Sequence, residues 1–421
     1  MPKFVYSFLL YLALPFVPLK LLWRGIKQPG YLKHWTERFG FYGAPVGNVP
    51  IIWLHCVSVG ETRAAEPLVK QLKATYPNYQ VLITHGTPTG RETSEAIFGD
   101  DVWRVYLPYD VPFAINGFLK HFNIAIGLLM ETELWFNLMA KCKAREIPLL
   151  LLNARLSEKS AKGYAKLGQL ATEGVQCLSA IAAQSQDDLN RFQALGAQNI
   201  SITGNLKFDV APPADSASKG NNLRELLGKK RTVFLASSTR KGEEKRILEA
   251  IKGLDVLKGN LLTIIVPRHP ERFNEVEAII QNAGLSYQRR SQLFEPLDNN
   301  IQVLLGDSMG ELFTYYAACD FTFIGGSLLK YGGQNLIEAA SIGKPILIGK
   351  HTFNFTEATK NAVRAGAAIR VKDVADLNHK VQYLLHNPAK CKTMSQAALR
   401  FSDESTGAGT RMMKLIAAYL R

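Results

Sequence analysis

IIWLHCVSVGETRAAE, residues Ile51–Glu66, decides the fold. Ile51–Leu54 is an apolar run that reads as a buried strand. It ends in a small, polar turn, Ser58-Val59-Gly60, and a helical pattern starts at Glu61-Thr62 and continues through Pro67-Leu68-Val69. A strand feeding a glycine turn and a helix leaves unpaired backbone N–H groups at the helix start, a natural place to hold a ligand. The turn delivers Glu61 to that place. A carboxylate there is either chemical or an acid favoured by the helix dipole, and this stretch alone leaves both open. The dipole is expected to keep Glu61 ionised at neutral pH.

Outward from this unit the same alternation recurs. Apolar strand candidates are Ile51–Leu54, Val81–Thr84, Ile124–Leu129, Pro148–Leu152 and Ala180–Ala183, with helical segments such as Ala64–Lys73 and Asn137–Lys143 between them. Alternating strand and helix marks a doubly wound parallel sheet. A polar, proline-bearing stretch follows, Ala211-Pro212-Pro213-Ala214-Asp215-Ser216-Ala217-Ser218-Lys219-Gly220. The alternation then restarts with Thr232–Ala236, Leu261–Val266, Val303–Leu305, Phe321–Ile324 and Pro345–Ile348. At 421 residues the chain is too long for one ordinary core. The expected class is therefore α/β, with two Rossmann-like doubly wound domains facing a cleft. The expected division is an anchor at 1–27, a first domain at 28–210, a linker at 211–230 and a second domain at 231–400. A C-terminal helical segment, 401–421, could pack back onto the first domain.

Composition narrows the function classes. Hydrophobic residues are 47% and charged residues 20%, which is globular and not disordered. The net charge of +14 favours anionic partners. The excess is scattered, with no basic tract interleaved with aromatics, so no nucleic-acid partner is expected. Cys56, Cys142, Cys177, Cys319 and Cys391 are dispersed and form no C-x-x-C pair, as for reduced thiols. The histidines show no metal-ligand spacing, and no metal is expected. Phe4–Trp23 is about one bilayer-spanning helix long, interrupted by Pro15, Pro18 and Lys20. No small-residue cleavage site follows it. Lys20, Arg24 and Lys27 come mostly after the apolar run, which keeps the following domains on the cytoplasmic side. A retained anchor on the inner face of a membrane is expected, with the prolines breaking the helix as one form of it.

Ligands in open α/β sheets bind beyond the carboxyl ends of the strands, and the informative residues collect there. Met130-Glu131-Thr132-Glu133-Leu134-Trp135 follows a strand, and in an extended segment its two carboxylates face the same side. Gly204-Asn205-Leu206-Lys207-Phe208-Asp209 places a lysine near the end of the first domain. The second domain carries three ligand-like loops. Val266-Pro267-Arg268-His269-Pro270 fixes an arginine suited to a phosphate or carboxylate. Asp307-Ser308-Met309-Gly310-Glu311 follows a strand, with Ser308 and Glu311 spaced as a capping box. Gly325-Gly326-Ser327 with Gly333-Gln334-Asn335-Leu336-Ile337-Glu338 lets the backbone approach an anion, with Glu338 one turn inside the helix as an acceptor for ribose hydroxyls. There is no G-x-x-x-x-G-K-[ST] and no early G-x-G-x-x-G, which argues against a P-loop or a nicotinamide site. Two such domains, with a nucleotide on the second and a carboxylate on the first, describe a sugar-nucleotide glycosyltransferase.

The chain resembles the bacterial 3-deoxy-D-manno-octulosonic acid (Kdo) transferases of lipopolysaccharide assembly along nearly its whole length. The matching runs include Val57-Ser58-Val59-Gly60-Glu61, Met130-Glu131-Thr132-Glu133-Leu134-Trp135, Asn153-Ala154-Arg155-Leu156-Ser157, Leu206-Lys207-Phe208-Asp209, Pro267-Arg268-His269-Pro270-Glu271-Arg272-Phe273 and Met309-Gly310-Glu311-Leu312. The resemblance implies an inverting GT-B transferase that moves Kdo from CMP-Kdo to a hydroxyl of the tetraacyl lipid A precursor, lipid IVA, at the inner membrane. It implies Glu61 as general base, and Glu131 and Lys207 as transition-state stabilisers. Pro267, Arg268, Met309, Gly310, Glu311, Asn335, Leu336, Ile337 and Glu338 would bind the CMP part, and no cofactor or metal is implied. The implied partners are CMP-Kdo, the phosphorylated lipid A precursor and an anionic inner-membrane surface. Trp135-Phe136-Asn137 stands where the family usually has Trp-Pro-Asn, and Gly333-Gln334-Asn335-Leu336 where it has Gly-His-Asn-Pro. Another GT-B sugar-nucleotide enzyme, a UDP-sugar transferase or epimerase, and a non-catalytic membrane-surface binder on the same scaffold are the competing classes.

Overall fold

The computed structural model describes residues 1–43, 47–209, 212–252, 254 and 261–420. The chain forms two compact units, Met1–Asp209 with Thr406–Arg421, and Val210–Ser405.

The first unit is built on a seven-stranded sheet: β1 Ile51–Cys56, β2 Gln80–His85, β3 Trp103–Tyr106, β4 Ile124–Met130, β5 Leu149–Ala154, β6 Ala180–Ala183 and β7 Ile200–Ile202. The order is β3-β2-β1-β4-β5-β6-β7, every pair parallel. All six residues of β1 are buried. A parallel sheet has helices on both faces, which is why its strands read as unbroken apolar runs. One face packs Trp53, Phe118, Leu129, Leu151 and Phe192; the other packs Leu54, Leu68, Leu72, Leu128 and Met412. Gly127 in β4 makes room for Trp53, since an added Cβ would lie 2.8 Å from the indole ring.

The amino-terminal segment stays helical. Lys3–Ala13 and Val17–Lys27 are α-helical and Leu14–Phe16 is a 3₁₀ turn between them. The prolines do not break it. Pro15 and Pro18 each fall in the first turn of the next segment, where no intrahelical N–H is needed. The whole helix, Lys3–Lys27, has a mean hydropathy of 1.8 and is long and apolar enough to cross a bilayer. It is also tied to its own unit. The Met1 ammonium donates to the Leu167 carbonyl (2.7 Å), Tyr6 to Asp110 Oδ2 (2.8 Å) and Ser7 to Asn137 Oδ1 (2.8 Å).

The carboxyl-terminal helix Ala408–Ala417 belongs to this first unit. Its Ala408, Met412 and Ile416 lie one turn apart and join the core beside Leu68 and Leu72. Asp209 fixes its start by accepting the Ala408 N–H at 2.9 Å and the Gly409 N–H.

The second unit repeats the plan with β8 Thr232–Thr239, β9 Leu261–Pro267, β10 Tyr287–Arg289, β11 Val303–Leu305, β12 Phe321–Ile324, β13 Ile346–Gly349 and β14 Ala368–Val371. The order is β10-β11-β9-β8-β12-β13-β14, again parallel. Phe234, Ile265, Phe321, Phe323 and Leu347 form its core. The stretch expected as a linker, 211–230, carries the helix Ser216–Leu227, with Leu223 and Leu227 buried. Tertiary packing overrides its loop-like composition. Gly220 permits the close approach, since an added Cβ would come within 2.2 Å of Ala317. Val210 and Ala211, at the expected boundary, lie outside the described residues. The second unit runs on to Ser405, so the return to the first begins five residues later than 401.

Candidate active site

The first sheet changes direction between β1 and β4, and the crevice beyond such a switch point is where ligands bind. Glu61 follows β1 and Glu131 follows β4. The helix after β1, Val59–Thr75, begins two residues earlier than its pattern suggests, because Ser58 caps it. Glu61 therefore sits in the first turn. Its N–H donates to Ser58 Oγ (3.3 Å), while its own carboxylate accepts the Ser58 hydroxyl (2.8 Å) and the Val57 N–H (2.7 Å). This is a reciprocal capping arrangement. A carboxylate has about four acceptor positions, so these two bonds leave others open. Burial pushes the Glu61 carboxyl above its ordinary value, Ser58 and Val57 pull it down, Glu131 adds to the rise and Lys207 opposes it. The direction is opposite to that expected from the helix dipole, because desolvation outweighs it.

Glu131 has a left-handed backbone, φ 59°, unusual for a residue with a side chain. Its N–H is held on the Leu152 carbonyl at 2.9 Å, so the sheet enforces that conformation. The segment is consequently not extended, and the expected shared orientation of Glu131 and Glu133 is not the basis of their proximity. Lys207 lies in the 3₁₀ turn Leu206–Phe208 and its Nζ donates to Glu131 Oε1 at 2.9 Å. Asn153, at the end of β5, fixes that turn by accepting the Leu206 N–H at 3.0 Å. The three residues assigned to catalysis thus share one electrostatic cluster.

Glu133 joins them. Its carboxylate accepts the Trp135 indole N–H at 2.8 Å. Burial, then the Glu61 charge, pushes it up to about 7 from an ordinary 4.5. The folded protein holds this proton where the unfolded chain has lost it. The resulting stability is whole below pH 4.5 and is lost as pH rises through about 7. The melting temperature of the parent, measured against Glu133→Gln, should therefore decline from about pH 5 to about pH 8. Buried His55 and His85, pushed down to about 4 and about 3, give the opposite slope below their ordinary 6.5, but they cancel in this difference. A flat difference would mean that Glu133 is not held neutral.

In the second unit Pro267 closes β9 and Arg268 is exposed, with its N–H on the Thr239 carbonyl at 3.0 Å. Met309 is 61% exposed and Gly310 has φ 79°. The expected Ser308 capping box does not form. The helix begins only at Leu312, with Glu311 itself as N-cap, and the Glu311 carboxylate accepts from Ser308 (2.5 Å) and Arg290 (3.0 Å). Asn335 accepts the Ile337 N–H (3.0 Å) and donates to Glu338 (3.3 Å). Leu336 and Ile337 have fully buried side chains, so they offer a ligand only backbone groups. Glu338 stands in the first turn of the helix Ile337–Ser341, not a turn inside it. Burial raises its carboxyl, while Asn335 and the nearby Arg268 charge lower it.

Sequence reasoning missed the residue that organises these loops. Glu243 is completely buried and accepts N–H groups from Arg240 (2.9 Å), Gly326 (2.6 Å) and Leu328 (2.9 Å). It fastens the Gly325-Gly326-Ser327 loop to the end of β8. The available signal was two adjacent acids, Glu243-Glu244, just after a strand in Arg240-Lys241-Gly242.

Comparison with known proteins gives the family of the chain. A family profile described as 3-deoxy-D-manno-octulosonic-acid transferase (kdotransferase) matches residues 33–210, and one described as glycosyl transferases group 1 matches residues 221–401. The chain is 39% identical to the 3-deoxy-D-manno-octulosonic acid transferase of Haemophilus influenzae over 99% of each chain. It is 40% identical to that of Bordetella pertussis over 95% of each. Among solved structures, a UDP-GlcNAc 2-epimerase from Neisseria meningitidis matches with a TM-score of 0.56 at 16% identity, covering 88% of this chain and 100% of that one. At that identity the likeness is one of fold alone, two parallel-sheet Rossmann-like domains. Identity of about two residues in five along the whole length establishes the rest: the chain belongs to the Kdo transferase family, glycosyltransferases of the GT-B fold.

Proposed function

We propose that the enzyme moves Kdo from CMP-Kdo to a hydroxyl of the tetraacylated lipid A precursor, with inversion at the anomeric carbon. The observation that carries this reading is the cluster of Glu61, Glu131 and Lys207 at the strand ends of the first sheet. The acceptor oxygen forms a bond to the anomeric carbon as the bond from that carbon to the CMP phosphate oxygen breaks. Glu61 takes the acceptor proton, and its raised carboxyl makes it the stronger base for that task. Lys207, paired with Glu131, steadies charge that shifts in the transition state. Arg268 and the backbone of the three second-unit loops hold the CMP phosphate, and Glu338 accepts from the ribose. No metal has a part in this sequence of steps. The apolar helix Lys3–Lys27 and the surplus of positive charge support attachment to the inner membrane, with both units on its cytoplasmic face.

Incubation of the purified protein with CMP-Kdo and the tetraacyl precursor tests this directly. Mass spectrometry should show the lipid heavier by Kdo, and UDP-sugars should not replace the donor. An unmodified lipid in the presence of intact CMP-Kdo would refute the assignment.

A further inference from the structure

The second sheet changes direction at its first strand: β8 lies between β9 and β12, and ligands bind in the crevice beyond such a point. Thr239 and Pro267 pair at the ends of β8 and β9, and Arg240 and Arg268 are the residues that follow them. Neither arginine makes an ion pair among the described residues. The Arg240 guanidinium is held on two sides. Its Nη1 meets His269 Nε2 at 3.0 Å, and its Cζ stands 4.9 Å from the centre of the Tyr331 ring. A guanidinium has only donors, so His269 Nε2 accepts. The other ring nitrogen, Nδ1, faces Glu271 at 3.8 Å. The free edge of Arg240, Nε with Nη2, makes no hydrogen bond among the described residues. Arg240 is only half-buried, and neither of these nitrogens is sealed from solvent. A fork with both prongs accessible matches a carboxylate.

A second free donor stands beside it. An added Cβ at Gly326 would lie 3.2 Å from Gln334 Nε2 and 3.5 Å from Arg240 Cγ, so the two side chains flank this glycine. The Gln334 side-chain amide makes no hydrogen bond among the described residues. The backbone here has nothing to offer an anion. Gly325, Gly333 and Gln334 donate their N–H groups to the carbonyls of Ser237 (2.8 Å), Gly326 (2.7 Å) and Gly325 (3.0 Å), and Gly326 donates to Glu243 (2.6 Å). Glu243 in turn is spent on backbone N–H groups and forms no ion pair with the Arg240 guanidinium. An anion at this turn is therefore met by side chains, a charged fork and a neutral amide.

We infer that Arg240, with Gln334 beside it, reads the carboxylate of the donor sugar and so determines the class of sugar that is transferred. The anomeric carbon of an octulosonic acid bears a carboxylate, so the donor carries two anionic groups close together, this one and the phosphodiester. Arg268 meets the phosphate in the proposed function, and Arg240, on the adjoining strand end, meets the acid. The carboxylate keeps its charge while the bond to the phosphate oxygen breaks, so the contact has the same strength before and in the transition state. It sets donor affinity and not the rate of transfer. The identity of the donor rests on the proposed function; the fork and its accessible edge do not. The phosphodiester is the other anion within the same ligand that such a fork would hold.

The test is calorimetry on the full-length enzyme in detergent, without acceptor, with three ligands: CMP, CMP-Kdo, and CMP-Kdo whose carboxyl group is the neutral amide. The parent should bind the acid about ten- to a hundredfold more tightly than the amide, as for one charge-assisted contact. Arg240→Gln should bind acid and amide alike, while its affinity for CMP stays within about twofold of the parent. Gln334→Leu should lose about two- to tenfold of the same preference, as for a neutral hydrogen bond. In turnover with acceptor, Arg240→Gln should raise the donor KM by the factor lost in binding and leave kcat nearly unchanged. An Arg240→Gln protein that keeps the preference for the acid would overturn the inference. So would one that loses as much affinity for CMP as for CMP-Kdo, which would give the fork to the phosphate. Should Arg240→Gln fail to fold, Gln334→Leu decides by the same ratio of acid to amide, and an undiminished ratio overturns the inference. A parent that binds CMP but does not tell acid from amide overturns the inference and leaves the nucleotide site standing. A parent that binds neither CMP nor CMP-Kdo overturns the proposed function, and the carboxylate contact with it.

Discussion

Glu61→Gln should turn over about 10²–10⁴ times more slowly than the parent, the range typical of general-base removal. Its stability should change by no more than about 1 kcal/mol. The two expectations follow from separate features of one side chain. As a cap, Glu61 needs an acceptor for the Val57 N–H and a partner for the Ser58 hydroxyl. Glutamine supplies both, with its carbonyl on Val57 and its amide N–H donating to a reoriented hydroxyl. As a base, Glu61 needs a lone pair with real proton affinity, and an amide has none. Burial has raised that affinity in the parent. Measuring kcat and melting temperature on the same preparation separates the roles. Near-normal turnover in a slightly less stable protein would reduce Glu61 to a helix-start residue.

The largest stability effect is expected at Arg272. Its guanidinium forks onto Glu244, with Nη1 to Oε1 at 2.6 Å and Nη2 to Oε2 at 3.0 Å. Glu244 is completely buried and also accepts from Thr239 at 2.7 Å. Arg272→Met strands that carboxylate, which should cost the second unit about 3–5 kcal/mol. For a unit of its size this is a fall of roughly 6–20 °C in melting temperature. The double variant Arg272→Met/Glu244→Met removes both charges and should recover most of the loss. A single variant that melts with the parent in calorimetry would show that Glu244 finds another partner or a proton.

The sheet centres were legible in the sequence and the edges were not. Ile51–Leu54 and Phe321–Ile324 belong to strands buried on both faces, so their composition announces them. The strands without an apolar run are β3, β7, β10 and β14, and these are the four edges of the two sheets. Tyr287–Arg289 is only half-buried and polar along its length, because an edge strand meets solvent on one side. The helix at Ser216–Leu227 was hidden for another reason: its serines and glycine suit a loop until Ala317 is packed against them. In the site, Glu61, Glu131 and Lys207 could be named from their motifs. Their convergence depends on the left-handed turn at Glu131 and on Asn153, which no spacing rule reveals. Glu243 was illegible because a buried acid that serves four backbone N–H groups looks, in sequence, like any acid at a helix start.

The grip of Asp209 on Ala408 and Gly409 also sets an order of assembly. The two partners are separated by the whole second unit, roughly 200 residues, which a ribosome makes in about 10–40 seconds. Throughout that interval Leu68 and Leu72 lack the helix that covers them, while the second unit, continuous in sequence, can already close. The first unit is begun first and finished last. A released chain truncated after Ser405 should therefore resist protease across its second unit and be cut in its first; equal resistance in both would show that the last helix is not needed to complete the fold.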